Sequence, residues 1–251
     1  MIRLGDVRVE RDENGCKVSF GIIQERDLYK LDVPVLIKTE KEAVLKNLKV
    51  EDHREEFSFQ VSSRPIRIEV DPESHLFRRL YPEEIPPSVA KVFGAENQLI
   101  VLPSKAEPEM LKKYRTAAEM INRTKTGIIK EENEVKLEDL QSNALILFGA
   151  SMEEPLVSDF LAGVGRESPW DREEADQDDA GSVLVMNHPV HEEYAVMVID
   201  IRSKGDILAV ARKLPHYGKY SYLLFHGAEN ARKGIWKVES SPLIHIFRYD
   251  S

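Results

Sequence analysis

The side chains able to do chemistry gather in a few short stretches of the chain. Gly149-Ala150-Ser151 follows an apolar run and precedes a helix start, so its backbone N–H groups could hold a phosphate or a carboxylate. The turn lacks the glycines of a dinucleotide fingerprint and the lysine of a Walker loop. Glu153 also stands where a nucleophile elbow needs its second glycine. A plain strand-to-helix turn is the simpler reading. His216, Tyr217, Lys219 and Tyr220 crowd a second turn, a set able to bind an anion or stack on a ring. The simpler reading there buries both tyrosine rings at a helix–strand corner while Lys219 meets carbonyls.

The histidines give less. His188 and His191 lie in MNHPVHEEY, and His191-Glu192 could open the His-Glu-x-x-His of a zinc peptidase. Ala195 occupies the place of the second histidine, and Pro189 opposes the helix such a site needs. A hydrolase would have to combine Ser151 with His216 or His226 and Asp200, a spacing that follows no triad order; His245 has no serine or cysteine partner in the pattern. Read as a calcium loop, the acidic stretch from Asp176 places Asp178 and Gly181 correctly. It fails at Ala180 and at Asn187, where a bidentate glutamate belongs, so a solvated mobile loop is expected. The sequence therefore assigns no catalytic residue, no metal ligand and no cofactor. Gly149, Ser151, His216, Tyr217, Lys219 and Tyr220 remain as candidates for a small anionic or nucleotide-like ligand.

The elements that must position these residues fall into two domains. Over residues 1–70 apolar side chains alternate with polar ones, as at Val18, Phe20 and Ile22 and at Val33, Val35 and Ile37. Half-buried strands require that period. The DENG at 12–15 ends in an Asn-Gly hairpin signal. Short strands between turns predict an immunoglobulin-like β-sandwich. Residues 71–97 carry Pro72, Pro82, Pro86 and Pro87, which predict an extended, stiff connector, yet Leu76, Phe77, Leu80 and Val89 predict that it packs against both domains. From 98 to 251 strands alternate with helices. QLIVL at 98–102 and ALILF at 144–148 read as strands covered on both faces, and Pro108–Asn122 as an amphipathic helix. Ser203 with Asp206 reads as a capping pair for a helix to Leu214. This order predicts a three-layer, Rossmann-like α/β domain with its ligand crevice at the carboxyl ends of the strands.

Composition bounds the rest. A length of 251 residues suits two domains, each with its own core, and 42% hydrophobic with 31% charged residues is ordinary for a globular chain. The net charge of -9 opposes sequence-independent nucleic-acid binding. A single cysteine excludes an internal disulfide and any multi-cysteine metal site. No apolar run is long enough to span a membrane, and MIRLGDVRVERD lacks the layout of a secretory signal, as fits either a cytosolic protein or a segment of a longer one.

FRRLYPEEIPPS at 77–88, ARKLPHYGKYSYLLF at 211–225 and KGIWKV at 233–238 resemble the C-terminal region of bacterial gluzincin-type aminopeptidases, the membrane alanyl aminopeptidase family, and aminopeptidase-like proteins. The resemblance covers most of the chain. It implies a β-sandwich and an α/β tail that follow a peptidase domain. The family's zinc motif, His-Glu-x-x-His with a downstream Glu, and its Gly-x-Met-Glu-Asn loop have no counterpart here, so no catalytic residue carries over. What the resemblance implies is a non-catalytic accessory module whose partner is a peptidase domain in cis or in trans, with a cell-envelope location if the parent is exported.

Overall fold

The computed structural model describes residues 1–13, 15–122, 127–149, 154–164, 169–202 and 204–249. Strands predominate, gathered in three sheets with some helices. The chain divides into two compact units: Met1–Ile85 with Val238–Ser251, and Pro86–Lys237.

The first unit is built from antiparallel strands. β1 (Ile2–Asp12) and β2 (Gly15–Gln24) form a hairpin in which Asp12 pairs with Gly15. Gly15 has φ +133, and a Cβ there would lie 2.2 Å from the carbonyl oxygen of Val61, so only glycine fits. Asn14, the other half of the expected turn pair, lies outside the described residues. β3 (Leu31–Thr39), β4 (Ala43–Val50), β5 (Arg54–Val61) and β6 (Pro65–Val70) complete the front of the chain. One sheet runs β1-β2-β5, and the second places β3 between β4 and β6. Both sheets turn alternate side chains into a common core: Val18, Phe20 and Ile22 from β2, Val33, Val35 and Ile37 from β3. These side chains are at most 1% exposed, and each contributes about 1.5–3 kcal/mol of burial.

Residues 71–97 are not uniformly extended. A 3-10 turn occupies Pro82–Glu84 and a short helix, α1 (Val89–Phe93), follows Pro87. Proline blocks helix interiors but not a helix that begins after it. Ser88 caps α1 by accepting from the Lys91 N–H.

In the second unit, β7 (Gln98–Leu102), α2 (Pro108–Ile121), β8 (Ile128–Glu131), α3 (Leu137–Gln141), β9 (Ala144–Phe148), α4 (Pro155–Ala162) and α5 (Arg172–Ala175) come first. β10 (Ala180–Asn187), β11 (Ala195–Ile201), α6 (Ile207–Lys213), β12 (Tyr222–His226) and β13 (Glu229–Gly234) follow. One sheet has the order β13-β12-β10-β11-β9-β7-β8. It is mixed: β8, β7, β9 and β11 run parallel, while β10 is antiparallel to both β11 and β12. Alternation within β7 and β9 fills both faces. Ile100 and Ile146 meet Tyr114, Ala118 and Val210 of α2 and α6, whereas Leu99 and Leu145 meet Leu140 of α3 and Val157 of α4. That two-sided cover is why residues 99–102 and 144–148 are apolar throughout. Asp206 caps α6, accepting from Ala209 N–H at 2.9 Å; Ser203 lies outside the described residues.

The tail differs from its expected place in the second domain. β14 (Ile244–Ile246) pairs with β6, and Leu243, 1% exposed, sits in the core of the first unit. The tail thus adds an edge strand beside β6 in the sheet of the first unit. Among the described residues, no helix is long and apolar enough to cross a membrane.

Candidate functional site

Gly149 ends β9 with φ +89, its N–H bonded to the carbonyl of Ile199 at 2.8 Å. It lies beside Pro103, at the end of β7. β8 and β9 flank β7 on opposite sides, so the chain leaves β7 in opposite lateral directions, and open sheets bind ligands at the carboxyl ends of such strands. Here the position holds a carboxylate of the protein itself. Glu132, 2% exposed, accepts from Ser104 N–H at 2.9 Å and Ser104 Oγ–H at 3.0 Å through one oxygen. Its other oxygen accepts from Glu154 N–H at 3.2 Å. Those are the donors an incoming anion would use. Ser151 and Ala150 lie outside the described residues.

The second candidate turn sits elsewhere. Leu214–Tyr217 form a 3-10 turn that runs through Lys219 and Tyr220 into the start of β12. Phe148 is level with Ile199, Val183 and Leu223 across the sheet, so Tyr220 is four residues below Gly149 and three strands away. At about 3.3 Å per residue and 4.8 Å per strand, the separation is about 20 Å. The two candidate segments occupy opposite ends of the sheet and share no cleft.

The job of this turn is visible in its bonds. The first N–H groups of α1, which have no intrahelical partner, are taken by Tyr220 O (from Val89, 3.0 Å) and Gly218 O (from Ala90, 2.8 Å). Tyr217 and Tyr220 pack against the core with ring centroids 5.9 Å apart. Lys219 Nζ lies 5.2 Å from the Tyr220 ring, and Lys233 Nζ lies 5.5 and 5.4 Å from the two rings. His216 is exposed beside them.

The remaining histidines are held apart. His188, 6% exposed, has Nε2 at 2.8 Å from Leu140 O, while Nδ1 accepts from Val190 N–H at 3.3 Å. A neutral ring satisfies both bonds, and burial pushes its pKa below the usual 6.5. His191 stacks on Tyr194 at 4.0 Å. His226 faces Asp179 at 3.3 Å rather than Asp200, and His245 lies in β14 of the first unit. The acidic stretch is more ordered than a free loop: α5 and the start of β10 lie within it, and Asp176, Asp178 and Glu174 pair with Arg202, Lys204 and Arg232. Among the described residues, no group of three or more His, Cys, Asp or Glu side chains is placed to hold a metal ion.

A densely bonded polar cluster lies in the first unit, around the 3-10 turn at Pro82–Glu84. Arg78 is 7% exposed. Its Nη1 and Nη2 donate to both oxygens of Glu84 at 2.8 Å, and its Nε donates to Asp71 Oδ2 at 2.9 Å. Asp71 also accepts from His75 and Leu76 N–H, and Glu84 from Tyr81 N–H. Burial alone would lower the Arg78 pKa, but the hydrogen bonds from Glu84 and Asp71 outweigh it and raise it, so the guanidinium stays charged. The stretch KGIWKV at 233–238 in the second unit is also engaged. Trp236 donates Nε1–H to Val185 O at 2.7 Å, and Gly234 lies so close to Tyr222 that a Cβ would be 2.1 Å from its hydroxyl. Comparison with protein-family models and with curated proteins found no match.

Proposed function

We propose that this chain is a non-catalytic accessory module, an immunoglobulin-like β-sandwich followed by a three-layer Rossmann-like domain, working beside a zinc-aminopeptidase-like domain in cis or in trans. One observation carries the reading: the buried polar groups in and beside the segments that resemble the aminopeptidase C-terminal region are spent on the protein's own backbone and side chains. The Arg78 guanidinium is held between the Asp71 and Glu84 carboxylates, and the carbonyls of Gly218 and Tyr220 cap α1. Groups so engaged hold geometry; they have no free donor or base to offer a substrate. The internal carboxylate of Glu132 weighs the same way against a ligand at the end of β7. The alternative, an anion- or ring-binding module, retains only the exposed Lys219 and Lys233 beside Tyr217 and Tyr220.

The test is direct. Purified chain, supplied with zinc and then dialysed, is expected to retain no stoichiometric metal and to release no product from aminoacyl-p-nitroanilide reporters. Sustained, chelator-sensitive turnover that co-purifies with the chain would refute the accessory reading.

A further inference from the structure

We propose that the loop joining β10 to β11, residues 188–194, is a proton-operated latch: it closes on the second unit while the His188 ring is neutral and is released when acid protonates that ring. The loop begins where the hairpin register ends, at the pair Asn187 and Ala195. Tyr194 N–H returns to His191 O at 3.2 Å, and side chains supply further anchors. Lys91 of α1 donates to Glu192 O at 2.7 Å, and Asn97 donates to the Tyr194 hydroxyl at 3.2 Å.

His188 is the anchor that reaches inward. It is 6% exposed, its ring centroid lies 5.3 Å from that of Phe160 on α4, and its Nε2 lies 2.8 Å from Leu140 O on α3. A carbonyl only accepts, so Nε2 carries the proton. Val190 N–H, at 3.3 Å, only donates, so Nδ1 presents a lone pair. These two partners select one tautomer of the neutral ring and leave no place for the imidazolium. A proton on Nδ1 would point at Val190 N–H and abolish the bond that folds the loop back on itself.

The surroundings offer that second proton little relief. Loss of water opposes a charge on His188 most, and His191 and Lys91 add to it; the Leu140 carbonyl favours the charge and is outweighed. His191, with its centroid 6.3 Å from that of His188, stacks on Tyr194 and keeps a buried Nδ1 that has no hydrogen-bond partner. Glu192 and Glu193 act on Lys91. On α3, Asp139 is committed to Lys130 and the Lys136 N–H; on α4, Asp159 is exposed. The strands do not depend on the latch, because β10 is paired with β11 on one side and β12 on the other. Release is therefore a local opening, which uncovers the His188 seat on α3 and α4 and frees the Lys91 ammonium from Glu192 O. The inference concerns the second unit alone and stands or falls separately from the accessory reading.

The experiment is residue-resolved amide hydrogen exchange on the full chain at about pH 7 and about pH 5, corrected for the intrinsic effect of pH on exchange. The amides of Val190 and Tyr194, both bonded within the loop, should lose protection roughly tenfold or more in acid, while those of β10 and β11 keep theirs. Nitrogen spectra of the ring should show His188 as the neutral Nε2–H tautomer at the higher pH, with its protonation coinciding with the loss of loop protection. His188→Gln, which retains an uncharged donor for Leu140 O, should show equal protection at both pH values. The ring spectra need no variant, so the test survives if that substitution does not fold. Unchanged protection in acid, a loss that persists in His188→Gln, a loss shared by β10 and β11, or an Nδ1–H tautomer would each overturn the proposal.

Discussion

Replacing Arg78 by Met should damage the first unit more than removal of any exposed ion pair, and the damage should be partly reversible by a second substitution. Arg78, Asp71 and Glu84 side chains are 7, 0 and 10% exposed, so the pairings are made out of water. Loss of the guanidinium removes three charge-assisted hydrogen bonds and leaves two buried carboxylates. Asp71 keeps two backbone donors, from His75 and Leu76, whereas Glu84 keeps only the N–H of Tyr81. The larger penalty therefore falls on Glu84. Breaking a buried pair at one end costs about 3–5 kcal/mol, a large share of the 5–15 kcal/mol that holds a domain folded. Arg78→Met/Glu84→Gln removes the stranded charge and should return to within about 2 kcal/mol of the parent. The assay is urea denaturation read two ways. Both tryptophans, Trp170 and Trp236, belong to the second unit, so their fluorescence reports that unit while far-ultraviolet circular dichroism reports both. The dichroism transition should move to lower urea in Arg78→Met with the tryptophan transition in place. A single variant within about 1 kcal/mol of the parent, or a double variant less stable than the single, would refute the reasoning.

Two further perturbations follow from the geometry. His188 is buried with its pKa lowered by desolvation, so the folded state favours the neutral ring; its contribution is fully present above the unfolded value near 6.5 and is lost as pH falls from there through the folded pKa. Tryptophan-monitored stability should therefore drop below about pH 6.5, and His188→Gln should flatten that dependence; an unchanged slope would exclude His188 as its source. Gly15→Ala should cost about 2–3 kcal/mol in the dichroism transition, because φ is +133 and the new Cβ would meet Val61 O at 2.2 Å. Gly227→Ala, at φ +55 with nothing within 4 Å, should cost only about 1 kcal/mol, and equal losses at the two sites would deny the steric part of the argument.

Strands with one wet face announced themselves in the sequence, because burial imposes a period of two on β2, β3, β5 and β6. β4 and β13 did not. Only Leu48 and Val50 of β4 are buried, and β13 is the polar stretch ENARKG at a sheet edge, where few side chains need cover. The candidate turns were legible as turns but not as neighbours. Their spacing depends on β10 entering antiparallel between β11 and β12, and the strand order of a sheet leaves no trace in local periodicity. Glu132 was hidden for another reason: it stands in the charged run KEENEVK, which reads as solvated, and only the approach of Ser104 and Glu154 makes it internal. Asp71, Arg78 and Glu84 follow no helical or strand period either. The chain between them is irregular and turns at Asp71 and Ser74, both at φ +52, where Ser74 N–H donates to Asp71 O.

That cluster limits which residues the first unit can exchange, because a buried guanidinium locked by two carboxylates cannot be altered one residue at a time without stranding a charge. Gly234 is constrained by space, since a Cβ there would lie 2.1 Å from the Tyr222 hydroxyl. Chemistry in this chain has to be sought in groups left unspent, and in the first unit the exposed Phe77 and Tyr29 stand out among them.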